Sequence, residues 1–164
     1  MIPAASIAIL KANLEADRQD IEKLYAHLRA YTVEMLTDQE KTIAASYYLN
    51  NLYSAFENIC LNVARTFENQ IDDRSQWHST LHSTLLKRMT LDIEGIRPKL
   101  WSDRSYQDLN ELRRFRHVFR NAYTIDLDPQ RIAIVLGQAQ RLYTLYRSDL
   151  DQFRAFLDSL VSLP

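Results

Sequence analysis

The chain has 164 residues, 46% of them hydrophobic, 25% charged and 10% aromatic, a balance that suits one globular domain over residues 1–164 with room for a core. Gly95 and Gly137 are its only glycines and four residues are Pro, too few turn formers for an all-β sandwich or barrel. The formal net charge of −1 conceals an uneven spread, −3 over residues 1–40 and +4 over 97–123, and a concentrated basic stretch suits phosphate better than a neutral surface does.

In chain order, Ile7, Leu14, Ile21, Leu28 and Met35 recur every seven residues, with Leu10, Leu24 and Tyr31 on the neighbouring line. They predict a first helix burying one stripe, interrupted only by Asp17. Met1 to Leu10 lacks a basic leader and a small-residue cleavage site, so it is expected to open this helix, not to direct secretion. Thr37 and Glu40 have the spacing of a capping box and predict the start of the second helix. Its apolar residues run Ile43, Tyr47, Leu49, Leu52, Phe56, Ile59, Val63 and Phe67. Cys60, the single cysteine, is expected as a buried, inert thiol in a reducing cytosol.

A third helix is predicted from about Trp77 to Ile93, with Leu81, Leu85 and Met89 at four-residue steps, before Gly95 and Pro98 break the chain. The fourth runs from about Ser105 to Tyr123 on a stripe of Leu109, Leu112, Phe119 and Tyr123. Asp128-Pro129 caps and opens the fifth, which continues through Ile132, Leu136, Leu142, Tyr146, Leu150, Phe153 and Leu157. Gly137 inside it costs about 1 kcal/mol relative to Ala, which close helix packing would justify. The simplest assembly is all-α, an antiparallel bundle of about five helices. No apolar run reaches the ~20 residues needed to cross a bilayer, so no membrane is expected.

The segment Leu112-Arg113-Arg114-Phe115-Arg116-His117-Val118-Phe119-Arg120-Asn121-Ala122-Tyr123 packs four Arg and one His into positions 113–120 without an acid. Arg113, His117, Arg120 and Asn121 share one broad helical face. Arg116 falls instead on the apolar stripe between Leu112 and Phe119, where a guanidinium needs an acid, a carbonyl or a phosphate. The competing reading is a solvated basic face with one snorkelling Arg. His78 and His82 have metal-compatible spacing but no third ligand nearby, so no metal and no cofactor is expected. Tyr25, Tyr31, Tyr47, Tyr48, Tyr53, Tyr143 and Tyr146 fit helix stripes and are expected in the core rather than on a base-stacking platform.

Residues 114–123, Arg-Phe-Arg-His-Val-Phe-Arg-Asn-Ala-Tyr, followed by Leu127-Asp128 and a long helix, resemble the HepT-like branch of the HEPN superfamily. These are small helical ribonuclease toxins paired with a minimal nucleotidyltransferase antitoxin of the MNT (MntA) type. The family motif is Arg, four residues, His, one residue, Tyr; Arg116 and Tyr123 match it, and Asn121 stands in the His position. Trp77-His78, Leu85-Leu86-Lys87-Arg88-Met89 and Arg97-Pro98 also resemble this branch, so the likeness lies within residues 77–129.

The resemblance implies a cytoplasmic homodimer that cleaves RNA without a metal, by attack of the ribose 2′-OH on the adjacent phosphate in a cleft shared across the dimer. It implies that Arg116 holds the scissile phosphate, that Arg113, Arg114 and Arg120 extend the electrostatic track for RNA, and that the antitoxin attaches AMP to Tyr123. Asn121 departs from the pattern, because a neutral amide cannot shuttle a proton. Three accounts of that departure are open: a catalytically silent variant, an engineered substitution that makes a toxic protein expressible, or His117 acting as base. The alternative function is a non-catalytic HEPN module that binds RNA, a nucleotide or a partner protein.

Overall fold

The computed structural model describes residues 2–68, 79–122 and 127–162, with the backbone alone for 79–83. Five α-helices carry the described chain: α1 (Ala4–Leu28), α2 (Gln39–Phe67), α3 (Ser79–Arg88), α4 (Asp103–Arg120) and α5 (Pro129–Val161). A 3-10 turn at Val33–Thr37 links α1 to α2. No strand occurs among the described residues, only an isolated pairing of Ile93 with Arg97.

The long helices alternate in direction, and cross-links between side chains record it. Tyr25 donates to the Ala139 carbonyl at 2.7 Å, Arg18 meets Asp151, Arg154 meets Glu15 and Lys11 meets Asp158. Residue numbers therefore rise along α1 as they fall along α5. The same holds for α1 and α2, where Asp17 accepts from Asn58 and Asn62 while His27 stacks on Tyr48. α4 runs against α5 through Ser102 and Ser105 on Asp149 and through Asp108 on Arg141. An up-down-up-down bundle results, with α1, α2, α4 and α5 around one core that includes Leu14, Leu52, Phe56, Trp101, Leu112 and Tyr146, each at most 1% exposed.

The fifth helix follows its sequence pattern: Asp128 Oδ1 accepts from the Gln130 N–H at 3.0 Å, Pro129 opens the first turn, and the whole predicted stripe is buried. Other boundaries differ. α1 stops at Leu28, short of the repeat that reaches Met35. The β-branched pair Thr32-Val33 favours extended backbone, Thr32 has φ −106° and ψ 163°, and the following 3-10 turn buries Leu36 while leaving Met35 38% exposed. Asp38, not Thr37, caps α2, accepting from the Glu40 N–H at 2.9 Å, while Thr37 donates to the Glu34 carbonyl.

α3 ends at Arg88, because the chain then reverses through Gly95 at φ +75° and returns Arg97 to Ile93. α4 begins two residues earlier than the stripe suggests, on a Ser102 cap, and ends at Arg120. Gly137 is not a close-packing site: a methyl built there meets nothing within 4 Å. Of the tyrosines expected in the core, Tyr25, Tyr53 and Tyr146 are buried and Tyr31, Tyr48 and Tyr143 are half-buried. Tyr47 is 54% exposed and its neighbour on the helix face, Ile43, 48%. Among the described residues no helix is long and apolar enough to cross a membrane.

Asp17 breaks the apolar stripe of α1 because it is a structural acceptor, 8% exposed and held by the Asn58 amide at 2.8 Å. Burial raises its carboxyl above the usual carboxylate value, and the two asparagine hydrogen bonds offset only part of that rise. Cys60 lies buried in α2 with its sulfur accepting from the Trp101 indole at 3.2 Å. Burial pushes its thiol up to about 12, which keeps it protonated and unreactive at neutral pH.

Candidate functional site

α4 carries six positions that matter, and the helix sorts them into two sets. Leu109, Leu112 and Phe115 drive one face of α4 into the core. Arg116 lies on that face and is only 6% exposed, so it does not snorkel to water. Its partner is an acid: Arg116 Nη2 donates to Glu57 Oε2 at 2.7 Å and Nη1 to Glu57 Oε1 at 3.3 Å. Nη1 also reaches Ser54 Oγ at 3.2 Å, and the guanidinium carbon stands 4.5 Å from the centre of the Tyr53 ring. A forked contact with a carboxylate and a stack on an aromatic face are the two geometries a guanidinium fits best. Three of its five N–H donors are engaged in this way.

The sequence pattern singles out neither Glu57 nor Ser54, and it places Tyr53 in the core without linking it to Arg116. The signal was indirect: an arginine on an apolar stripe demands a partner, and α2 places Ser54 and Glu57 three residues apart on the face that meets α4. Burial raises the Tyr53 phenol well above the ordinary tyrosine value despite the neighbouring guanidinium. Tyr53 therefore serves Arg116 as a neutral ring.

The second set points outward. His117, Arg120 and Asn121 are exposed and Arg113 is half-buried, its Nε donating to Asn110 Oδ1 at 3.0 Å. Arg114 is exposed and pairs with Glu111 one turn away at 3.3 Å, a surface contact worth little. Arg120, a cation of the last turn, lies at the negative end of the α4 dipole. Asn121 is the C-cap, and its amide donates to the His117 carbonyl at 2.8 Å. It follows Arg116 by five residues, roughly 140° around a helix axis. Within one protomer, Arg116 and Asn121 thus look away from each other, and no hydrogen bond or ion pair joins Arg116 to any of the outward set among the described residues.

Tyr123, Trp77 and His78 lie outside the described residues, and the side chain of His82 is not described. Among the described residues no three His, Cys, Asp or Glu side chains are grouped so as to hold a metal ion.

The family model for HepT-like proteins matches residues 44–157. The chain belongs to the HepT-like family. The match takes in most of α2, all of α3 and α4 and nearly all of α5, so the HepT-like likeness extends well beyond the motif-bearing segment on both sides, to the helix that supplies Glu57. Neither the curated proteins nor the solved structures include a match to the chain.

Proposed function

We propose that this HepT-like chain is the toxin-type member of a toxin–antitoxin pair whose parent activity is metal-independent cleavage of RNA. Its single domain acts in the cytoplasm as a homodimer, and the α4 segments of two copies wall one cleft. The observation that carries the reading is Arg116: a permanently charged guanidinium, oriented by Glu57 and Tyr53, within the basic stretch 113–120 of a HepT-like chain. In the reaction a base removes the 2′-OH proton, the oxygen attacks the neighbouring phosphorus, and the 5′-oxygen leaves with a proton. Arg116 holds the phosphate with the N–H donors left over from Glu57, while Arg113, Arg114 and Arg120 draw the strand in. The nucleotidyltransferase partner silences the site by adding AMP to Tyr123, which brings negative charge and bulk beside the arginines.

A second reading, a non-catalytic RNA- or nucleotide-binding module, is favoured by Asn121. Its amide is bound to the His117 carbonyl and cannot shuttle a proton. One experiment separates the two. Asn121→His is expected to install a base near pKa 6.5 and to raise RNA cleavage by roughly 10²–10⁴-fold, with Arg116→Ala removing the gain. If His117 already acts as base, the unaltered protein cleaves and His117→Ala does not. A folded, dimeric Asn121→His protein that leaves RNA intact would overturn the ribonuclease reading in favour of the binding module.

A further inference from the structure

We infer that Tyr47 is a base-stacking subsite for single-stranded RNA beside the Arg116 clamp, an inference that rests on the RNA reading above. Tyr47 is a large aromatic residue 54% exposed in the first third of a long helix, and burying such a ring against a base is favourable whatever the base. Its position relative to the clamp follows from helix geometry. Tyr47, Asn50, Ser54 and Glu57 succeed one another along α2 at steps of three and four residues, so they form one line. Ser54 and Glu57 are the two residues that hold Arg116. Tyr47 precedes Ser54 by two turns, about 10 Å along the axis and within ~20° around it. Neighbouring nucleotides of one strand span that distance.

The ring is also supported from behind. Tyr47 meets Tyr48 edge-on at 5.6 Å, and Tyr48 stacks nearly parallel on His27 at 4.6 Å. A platform fixed in this way loses little side-chain freedom when a base lands on it. Charge favours a polyanion near the clamp: the exposed Arg114 and Arg120 lie within about one turn of Arg116 on α4, whereas the start of α2 carries both signs in Asp38, Glu40 and Lys41.

The test uses the full chain and a short single-stranded RNA carrying 2-aminopurine, read by anisotropy and by base fluorescence at low salt. Tyr47→Ala should weaken binding by roughly 5–100-fold and abolish quenching of the base, in line with the cost of losing one aromatic stack. Tyr47→Phe, which keeps the ring, should bind within about twofold of the parent on the same grounds. If Arg116→Ala and Arg120→Ala weaken binding while Tyr47→Ala does not, the subsite is wrong and the RNA reading stands. If the parent protein does not bind RNA at all, the RNA reading fails and takes the subsite with it. If Tyr47→Ala breaks self-association and Tyr47→Phe restores it, the ring belongs to an interface between copies and the inference is overturned.

Discussion

Two arginine–glutamate pairs tie later parts of the chain to α2, and their surroundings differ. Arg97 is held by Glu68 at the end of α2, with side chains 0% and 7% exposed. Its Nη1 and Nη2 also donate to the carbonyls of Leu91, Pro98 and Arg88, its buried Nε has no partner among the described residues, and Arg88 adds a second ion pair to Glu68 at 3.1 Å. This guanidinium closes the reversal after α3 onto the bundle and is spent on the fold. Arg116 has the same charge partner type and nearly the same burial, 7% against 12% for Glu57, yet no backbone carbonyl among the described residues takes its donors. Its other neighbours are a hydroxyl and a ring, and the exposed Arg114 and Arg120 lie two and four residues away on α4. A buried ion pair is weak evidence of purpose by itself. What distinguishes the two is whether backbone carbonyls take the terminal donors of the guanidinium.

The comparison predicts its own ranking. The largest effect belongs to Arg97→Met, which leaves Glu68 and three carbonyls without a buried donor. It should cost about 3–5 kcal/mol of stability, the penalty for breaking a buried pair, with RNA affinity per folded molecule unchanged. Denaturant unfolding and a binding titration on the same sample check both halves. Arg116→Met should cost less, about 1–3 kcal/mol for groups left partly unpaired. It should also lower the slope of log affinity against log salt by about 0.7, one phosphate contact on a single strand. Equal stability losses, or an unchanged slope, would break the distinction. The smallest effect sharpens it: Glu57→Gln keeps a hydrogen-bonding partner on Arg116 but deletes the negative charge beside the guanidinium. RNA affinity at low salt should rise severalfold, with little change in the unfolding midpoint.

Much of the bundle was legible because it rests on local rules. Asp128-Pro129 and the stripe from Ile132 to Leu157 specify α5 without reference to any other element, and all of them behave as their spacing requires. Where the reading overran, a local preference had been outvoted or overlooked. The seven-residue repeat carried α1 on to Met35, but Thr32-Val33 prefers extended backbone and Leu36 takes the buried place. Tyr47 looked like core because stripes identify a helix face more readily than they show whether anything covers it. At the candidate site, the sequence could state that Arg116 needed a partner but not which one, since Glu57 is 59 positions away. Only tertiary packing brings a carboxylate and a guanidinium together over such a separation. Asn121 was legible as a departure from a motif, whereas its bond to the His117 carbonyl depends on how α4 ends.

Cys60 offers a consequence of another kind. It is the chain's single sulfhydryl, fully enclosed, roofed by the Trp101 indole, and it feels the fields of both Glu57 and Arg97. A thiol reagent can reach it only when the packing between α2 and the segment leading into α4 opens. The rate of labelling is then a stopwatch for that opening, with the chain's chemistry supplying the one dial. Because the sulfur lies within the fields of both charged anchors, a single trace can be compared after loosening either one. The bundle carries its own gauge of how firmly each anchor holds.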